Sequence, residues 1–144
     1  MGTIRAICTS DIKGIQKSGI DSVTLTAEHG IEGDAHAGAW HRQVSLLSYE
    51  KVEEFKALGA EVQDGSFGEN IIVEGFDLKA LPIGTRLTSN DVVLEVTQIG
   101  KECHAHCAIY HKMGDCIMPR EGIFTRVITG GTISAGDSIE ILCN

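Results

Sequence analysis

The chain has 144 residues, the size of one ordinary domain, with 42% hydrophobic and 22% charged residues, a balance that excludes a disordered chain. Its formal charge of −8 excludes partners that need a broadly basic surface, so neither nucleic acid nor an anionic membrane is expected as a partner. The opening MGTIRAICTS has no apolar run behind a basic start, position 6 is Ala6, and no apolar stretch approaches a membrane span; no signal peptide and no myristoylation are expected, and the location is expected to be cytoplasmic.

Seventeen glycines against two prolines point to many tight turns, as in a β-rich chain. Residues 3–8 alternate Ile4, Ala6 and Cys8 with Thr3, Arg5 and Ile7, the period of a strand. Residues 22–27 do the same through Val23 and Leu25. Residues 30–41 hold three glycines, two histidines and Asp34, which reads as a long functional loop. Residues 43–47 form the next short strand. Ser48 is placed to cap a helix through about Leu58, with Val52, Phe55 and Leu58 at helical spacing and Gly59 to end it.

Strands are predicted over 69–73, 85–88 and 92–98, with turns at Leu81-Pro82-Ile83-Gly84 and Ser89-Asn90-Asp91. A helix over 103–112 would put Cys103, Cys107 and His111 on one face. Residues 123–128 fit a helix or a strand. Gly130-Gly131 reads as a turn, and 138–142 as the last strand. Many short strands with a few short helices predict a mixed α/β, mostly β architecture built on a compact β-barrel, in a single domain over 1–144.

Five cysteines, Cys8, Cys103, Cys107, Cys116 and Cys143, argue against a disulfide framework in a chain with no export signal. Cys8 and Cys143 fall in predicted strands and read as buried filler. Cys103 and Cys107 are different. Lys101, His104 and His106 lie beside them, and cations there favour the thiolate, the species that attacks sulfur or binds a metal. A competing reading makes Cys103, Cys107 and His111, with Cys116 near, a ligand set. The paired Cys-x-x-Cys knuckles of structural zinc sites are missing, so no zinc is expected.

Three blocks carry a family resemblance: GIEGDAHAGAWHRQVSLLS from Gly30, FGENI from Phe67, and QIGKECHAHCAIYHKMGDCIMPREGIFTRVITGGTISAGDSIEI from Gln98. In this order and spacing they resemble the MOSC domain, the C-terminal domain of molybdenum cofactor sulfurases, along nearly the whole chain. The resemblance implies a barrel core and a role in sulfur or molybdenum cofactor chemistry through one key cysteine. Cys103, after a turn at a strand end, fits that place. The Cys-x-x-x-Cys spacing departs from the Cys-x-x-Cys pair of some relatives and leaves Cys107 open.

The resemblance further implies a pocket for a molybdopterin-type ligand. Its expected lining is Asp34, His36, Arg42, Asn70, Lys101, His104 and Arg120, with Cys103 as the molybdenum ligand if the metal binds. His41 continues the wall beside Arg42, and Arg42 or Arg120 suits a phosphate. The positive groups Lys101, His104, His106, Arg120 and Arg42 are expected to gather near one opening. Asp34 and Asn70 also have plain structural readings, as turn formers that satisfy nearby backbone. Glu69 beside Asn70 reads as structural in part.

Two functions are implied. One is sulfur handling, with a persulfide on the pocket cysteine supplied by a cysteine desulfurase or another donor and passed to cofactor biosynthesis proteins or molybdoenzymes. No pyridoxal phosphate site is expected within this chain, so that cofactor would sit in the donor. The alternative is a molybdenum-dependent reductase of N-hydroxylated compounds, or a non-catalytic cofactor carrier.

Overall fold

The computed structural model describes residues 2–10, 18–35, 37–59, 69–100 and 122–142. Eleven strands lie among them: β1 (Gly2–Thr9), β2 (Ser18–Ile20), β3 (Ser22–Thr26), β4 (Gly30–Ile31), β5 (Val44–Ser48), β6 (Ile71–Glu74), β7 (Arg86–Ser89), β8 (Val92–Ile99), β9 (Ile123–Thr129), β10 (Gly131–Ser134) and β11 (Ser138–Ile141). A single α-helix, α1 (Tyr49–Ala57), and a 3-10 turn at Leu78–Ala80 complete the described elements.

The main sheet runs β11-β7-β8-β9-β5-β6-β1-β2. Gly2 and Thr3 of β1 also pair with Ile139 and Ser138 of β11, which closes seven strands into a barrel and leaves β2 outside the ring. Pairing is antiparallel except between β5 and β6, where α1 makes the crossover that parallel strands require. Closure removes the free edges that an open sheet of short strands would expose. A second sheet, β10-β3-β4, lies against this barrel through contacts of β10 with β8 and β3 with β9.

Alternation decides which residues fill the interior. Val92, Leu94 and Val96 of β8, Val44 and Leu46 of β5, and Ile71 and Val73 of β6 belong to one buried cluster. Leu47 and Ile72 are also buried but fall outside that cluster. Alternation turns them to the outer face, where α1 packs on β5 and β6 and buries Val52 and Phe55. The helix predicted over 48–58 is therefore present, outside the barrel.

Several local expectations change in detail. Residues 123–128, open between helix and strand, are strand β9. In β1 the simple alternation of Ile4, Ala6 and Cys8 breaks. The register against β6 shifts between Ile4 and Ala6, so Arg5 is an extra residue and the interior positions become Ile4 and Ile7. Ser48 does occupy the helix N-cap, but its hydroxyl makes no capping bond. It donates instead towards Glu50 Oε1 at 3.3 Å and the Phe76 carbonyl at 3.4 Å.

Gly130-Gly131 is not an open turn. Gly131 already pairs with Leu25, and the chain passes through Gly130 from the barrel into the second sheet. A Cβ on Gly130 would stand 2.5 Å from the Leu25 carbonyl oxygen, so the backbones approach too closely for any side chain.

Candidate functional site

Residues 101–121 lie between strands β8 and β9 in the chain, and the described residues on either side of them are bonded: Gly100 N–H donates to the Gly122 carbonyl at 2.7 Å. Cys103 and Cys107 belong to this connection, three and seven positions beyond Gly100. Both cysteines, with Lys101, His104, His106, His111, Cys116 and Arg120, lie outside the described residues, as do His36 and Cys143. Asp34, His41, Arg42 and Asn70 are described.

The foot of this segment is built by a bulge. Val96 of β8 faces Thr125 and Gln98 faces Phe124, so Thr97 is the extra residue. Its hydroxyl lies against the His41 carbonyl and 3.1 Å from that of Phe124. The bulge re-aims the next side chain, Gln98, out of simple alternation. Gln98 Oε1 then stands 3.1 Å from Arg42 Nε and 2.8 Å from His41 Nε2, while its Nε2 donates to the Gly100 carbonyl at 2.7 Å.

Arg42 is half-buried between two rings. Its guanidinium carbon is 5.2 Å from the Phe124 centroid and 5.9 Å from that of Trp40. Trp40 in turn meets the His41 ring edge to face, with centroids 5.8 Å apart. Among the described residues the guanidinium is hydrogen-bonded through Nε alone, to Gln98.

Asp34 sits in the same loop as Arg42 but is fastened elsewhere. It is buried, its Oδ1 accepts from Ser10 N–H at 3.2 Å, and Ala35 N–H donates to the Ser10 carbonyl at 2.6 Å. Asp34 thus ties the loop to the end of β1. Asn70 is fully buried within the wall, where its Oδ1 accepts from Ser45 N–H at 3.0 Å and its Nδ2 donates to the Cys8 carbonyl at 3.1 Å. Glu69 beside it is fully buried as well. The described part of the expected lining is thus fastened by different partners: Arg42 and His41 by Gln98, Asp34 by Ser10, and Asn70 by Ser45 and Cys8.

Trp40, Gln98 and Phe124 join this cluster without any local motif to mark them. The one available signal is that Trp40 is the single tryptophan of the chain, set in a loop of glycines and polar residues. Gln98 becomes visible only through the bulge that aims it.

The comparison that decides the family is a model for the MOSC domain, which matches residues 33–140. This chain belongs to the MOSC domain family. Its fold agrees with that of several solved structures. The YUAD protein from Bacillus subtilis superposes with a TM-score of 0.81 at 21% identity, over 98% of this chain and 96% of that one. YiiM from Escherichia coli gives 0.71 at 20% identity, over 100% of this chain and 71% of that one. YiiM from Geobacillus stearothermophilus gives 0.72 at 19% identity, over 99% and 75%. At such identities the likeness speaks for the fold alone. A comparison with curated proteins gives no match. The MOSC family is associated with the molybdenum cofactor, and its matched span takes in the Asp34 loop, Arg42, Asn70 and the cysteine segment. Among the described residues no helix is long and apolar enough to cross a membrane.

Proposed function

We propose that this MOSC chain serves molybdenum cofactor metabolism by handling sulfur on a pocket cysteine or by binding a molybdopterin-type ligand, with the chemistry at Cys103 or Cys107. The observation that carries the reading is the family match over residues 33–140, which includes both cysteines, together with the Arg42 cluster at the foot of the segment that bears them. The cofactor, when bound, supplies a redox-active metal on a phosphorylated pterin. The residues suit such a ligand: Arg42 offers a planar guanidinium edge to a phosphate, and a soft thiolate suits the metal.

In the sulfur-handling reading the thiolate of Cys103 or Cys107 attacks the terminal sulfur of a persulfide on a cysteine desulfurase. The new sulfur–sulfur bond forms as the donor's own cysteine leaves as thiolate, and electrons balance without an outside oxidant. Lys101, His104 and His106 are the neighbouring groups that favour the attacking thiolate. The test is intact mass spectrometry after incubation with a cysteine desulfurase and free cysteine, followed by peptide mapping. One added sulfur atom is expected, on the segment 101–121. Loading that persists in the Cys103→Ser, Cys107→Ser double variant would reject persulfide chemistry here. Bound pterin and molybdenum after expression in a molybdate-replete host, without sulfur loading, would favour the ligand-binding or reductase reading instead.

A further inference from the structure

Arg42 Nε carries a proton and no lone pair, so it can only donate. The Gln98 atom 3.1 Å from it is therefore the carbonyl oxygen, and the amide nitrogen is left to face the Gly100 carbonyl at 2.7 Å, which accepts it. These two contacts fix the amide's orientation independently of one another. The same oxygen lies 2.8 Å from His41 Nε2. An oxygen already committed as acceptor requires His41 Nε2 to be the donor, so neutral His41 holds its proton there and presents Nδ1 as an acceptor. One side chain thus sets the edge of a guanidinium, the tautomer of an imidazole and the backbone at the start of the 101–121 segment. The Thr97 bulge is what aims it.

We propose that Gln98 is a positioning residue for an anion site at Arg42. It binds the Nε edge of the guanidinium, holds the plane in the slot between Trp40 and Phe124, and leaves the two Nη groups directed to a phosphate-like oxyanion. His41, locked as the Nε2–H form, supplies an acceptor beside that ligand for a protonated oxygen. The proposal rests on the reading of Arg42 as the anion-holding residue of the site. It adds the residue that preorganises it, and preorganisation contributes to affinity by removing the cost of ordering a long side chain on binding.

The experiment compares the full chain with its Gln98→Leu and Gln98→Glu variants by NMR. Two quantities are read: solvent exchange of the Arg42 Nε–H, and the Kd for inorganic phosphate from shifts of the arginine side-chain signals. Neither needs a sulfur donor or a metal, so a failure of sulfur loading leaves both readouts standing. In Gln98→Leu the Nε–H should exchange faster and phosphate should bind about three- to tenfold more weakly. In Gln98→Glu the carboxylate still accepts from Nε, so protection should persist, while the added negative charge weakens phosphate binding. Gln98 as a mere strand residue would change stability and leave the phosphate Kd where it was. An unchanged Kd or unchanged Nε–H exchange in Gln98→Leu overturns the proposal. If Gln98→Leu does not fold, Gln98→Ala, which removes the acceptor without adding a charge, carries the same two readouts, and an unchanged Kd or unchanged Nε–H exchange there overturns the proposal equally.

Discussion

Asn70 uses both ends of its amide inside the barrel wall, joining β5 through Ser45 and β1 through the Cys8 carbonyl at the point where β6 begins. Removing it would leave a buried amide and a buried carbonyl short of partners, each a cost of about 1–3 kcal/mol. Asn70→Ala is therefore expected to lower the unfolding free energy by roughly 2–4 kcal/mol in urea titration. The cysteines carry different expectations. Cys8 is fully buried, and Cys8→Ser is expected to cost about 1–3 kcal/mol through a buried hydroxyl while sulfur loading stays intact. Cys103→Ser should do the reverse, keeping stability within experimental error of the parent and losing the added sulfur in the mass spectrum. Loss in Cys107→Ser with full loading in Cys103→Ser would transfer the role to Cys107.

At the scale of the strand, the outer face of β7, β8 and β9 is held by a charge ladder. Glu95 of β8 receives Arg86 Nε at 3.1 Å and Arg126 Nη2 at 3.1 Å, and Arg126 Nη1 continues to Glu28 at 3.2 Å. Partial burial works against the Glu95 carboxylate, but the bonds from Arg86 and Arg126 outweigh it and hold its pKa below the ordinary 4.5. A lowered folded-state pKa means a stabilising contribution that is complete above the unfolded value and is lost as pH falls through the folded one. The pair faces solvent in part, so Glu95→Gln should cost only about 0.5–1 kcal/mol at neutral pH. The gap between variant and parent should narrow below pH 4.5 in denaturation curves taken across acid pH; a gap that stays constant would assign the effect to packing. The junction of β9 and β10 depends on steric fit instead. Gly130→Ala sets a Cβ 2.5 Å from the Leu25 carbonyl oxygen, so the second sheet must shift. Faster hydrogen exchange confined to β3 and β10 is the expected sign.

For the whole molecule, one interior serves all seven barrel strands. Leu46 stands within it, fully buried, among residues from β1, β6, β8 and β9. Truncation to Leu46→Ala is expected to cost about 2–5 kcal/mol, since a closed barrel collapses poorly onto a cavity. A shared core also predicts a single cooperative transition, which superimposable fluorescence and circular dichroism melts would demonstrate. Closure by β1 and β11 brings the first and last described strands together, so damage at either should weaken the other.

Local periodicity determined most of the strands, because a half-buried strand must alternate and a short helix on its outer face must show apolar residues at helical spacing. The Val92–Ile99 and Ser22–Thr26 strands and the helix from Tyr49 to Ala57 were legible for that reason. The family was legible too, through three ordered blocks whose spacing reflects one fold. The very short β2 and β4 left no such trace, since two or three residues cannot display a period, and β10 begins at Gly131, inside the glycine pair that reads as a turn. The bulges at Arg5 and Thr97 were invisible for a related reason: an extra residue exists only relative to the partner strand it faces. Closure of the barrel, the depth of Asn70 and the meeting of Arg42 with Gln98, 56 positions apart, belong to tertiary structure alone. Side-chain chemistry can be read from one residue, but the atom that completes a guanidinium's bonding must come from another strand, and only the folded barrel brings it within reach.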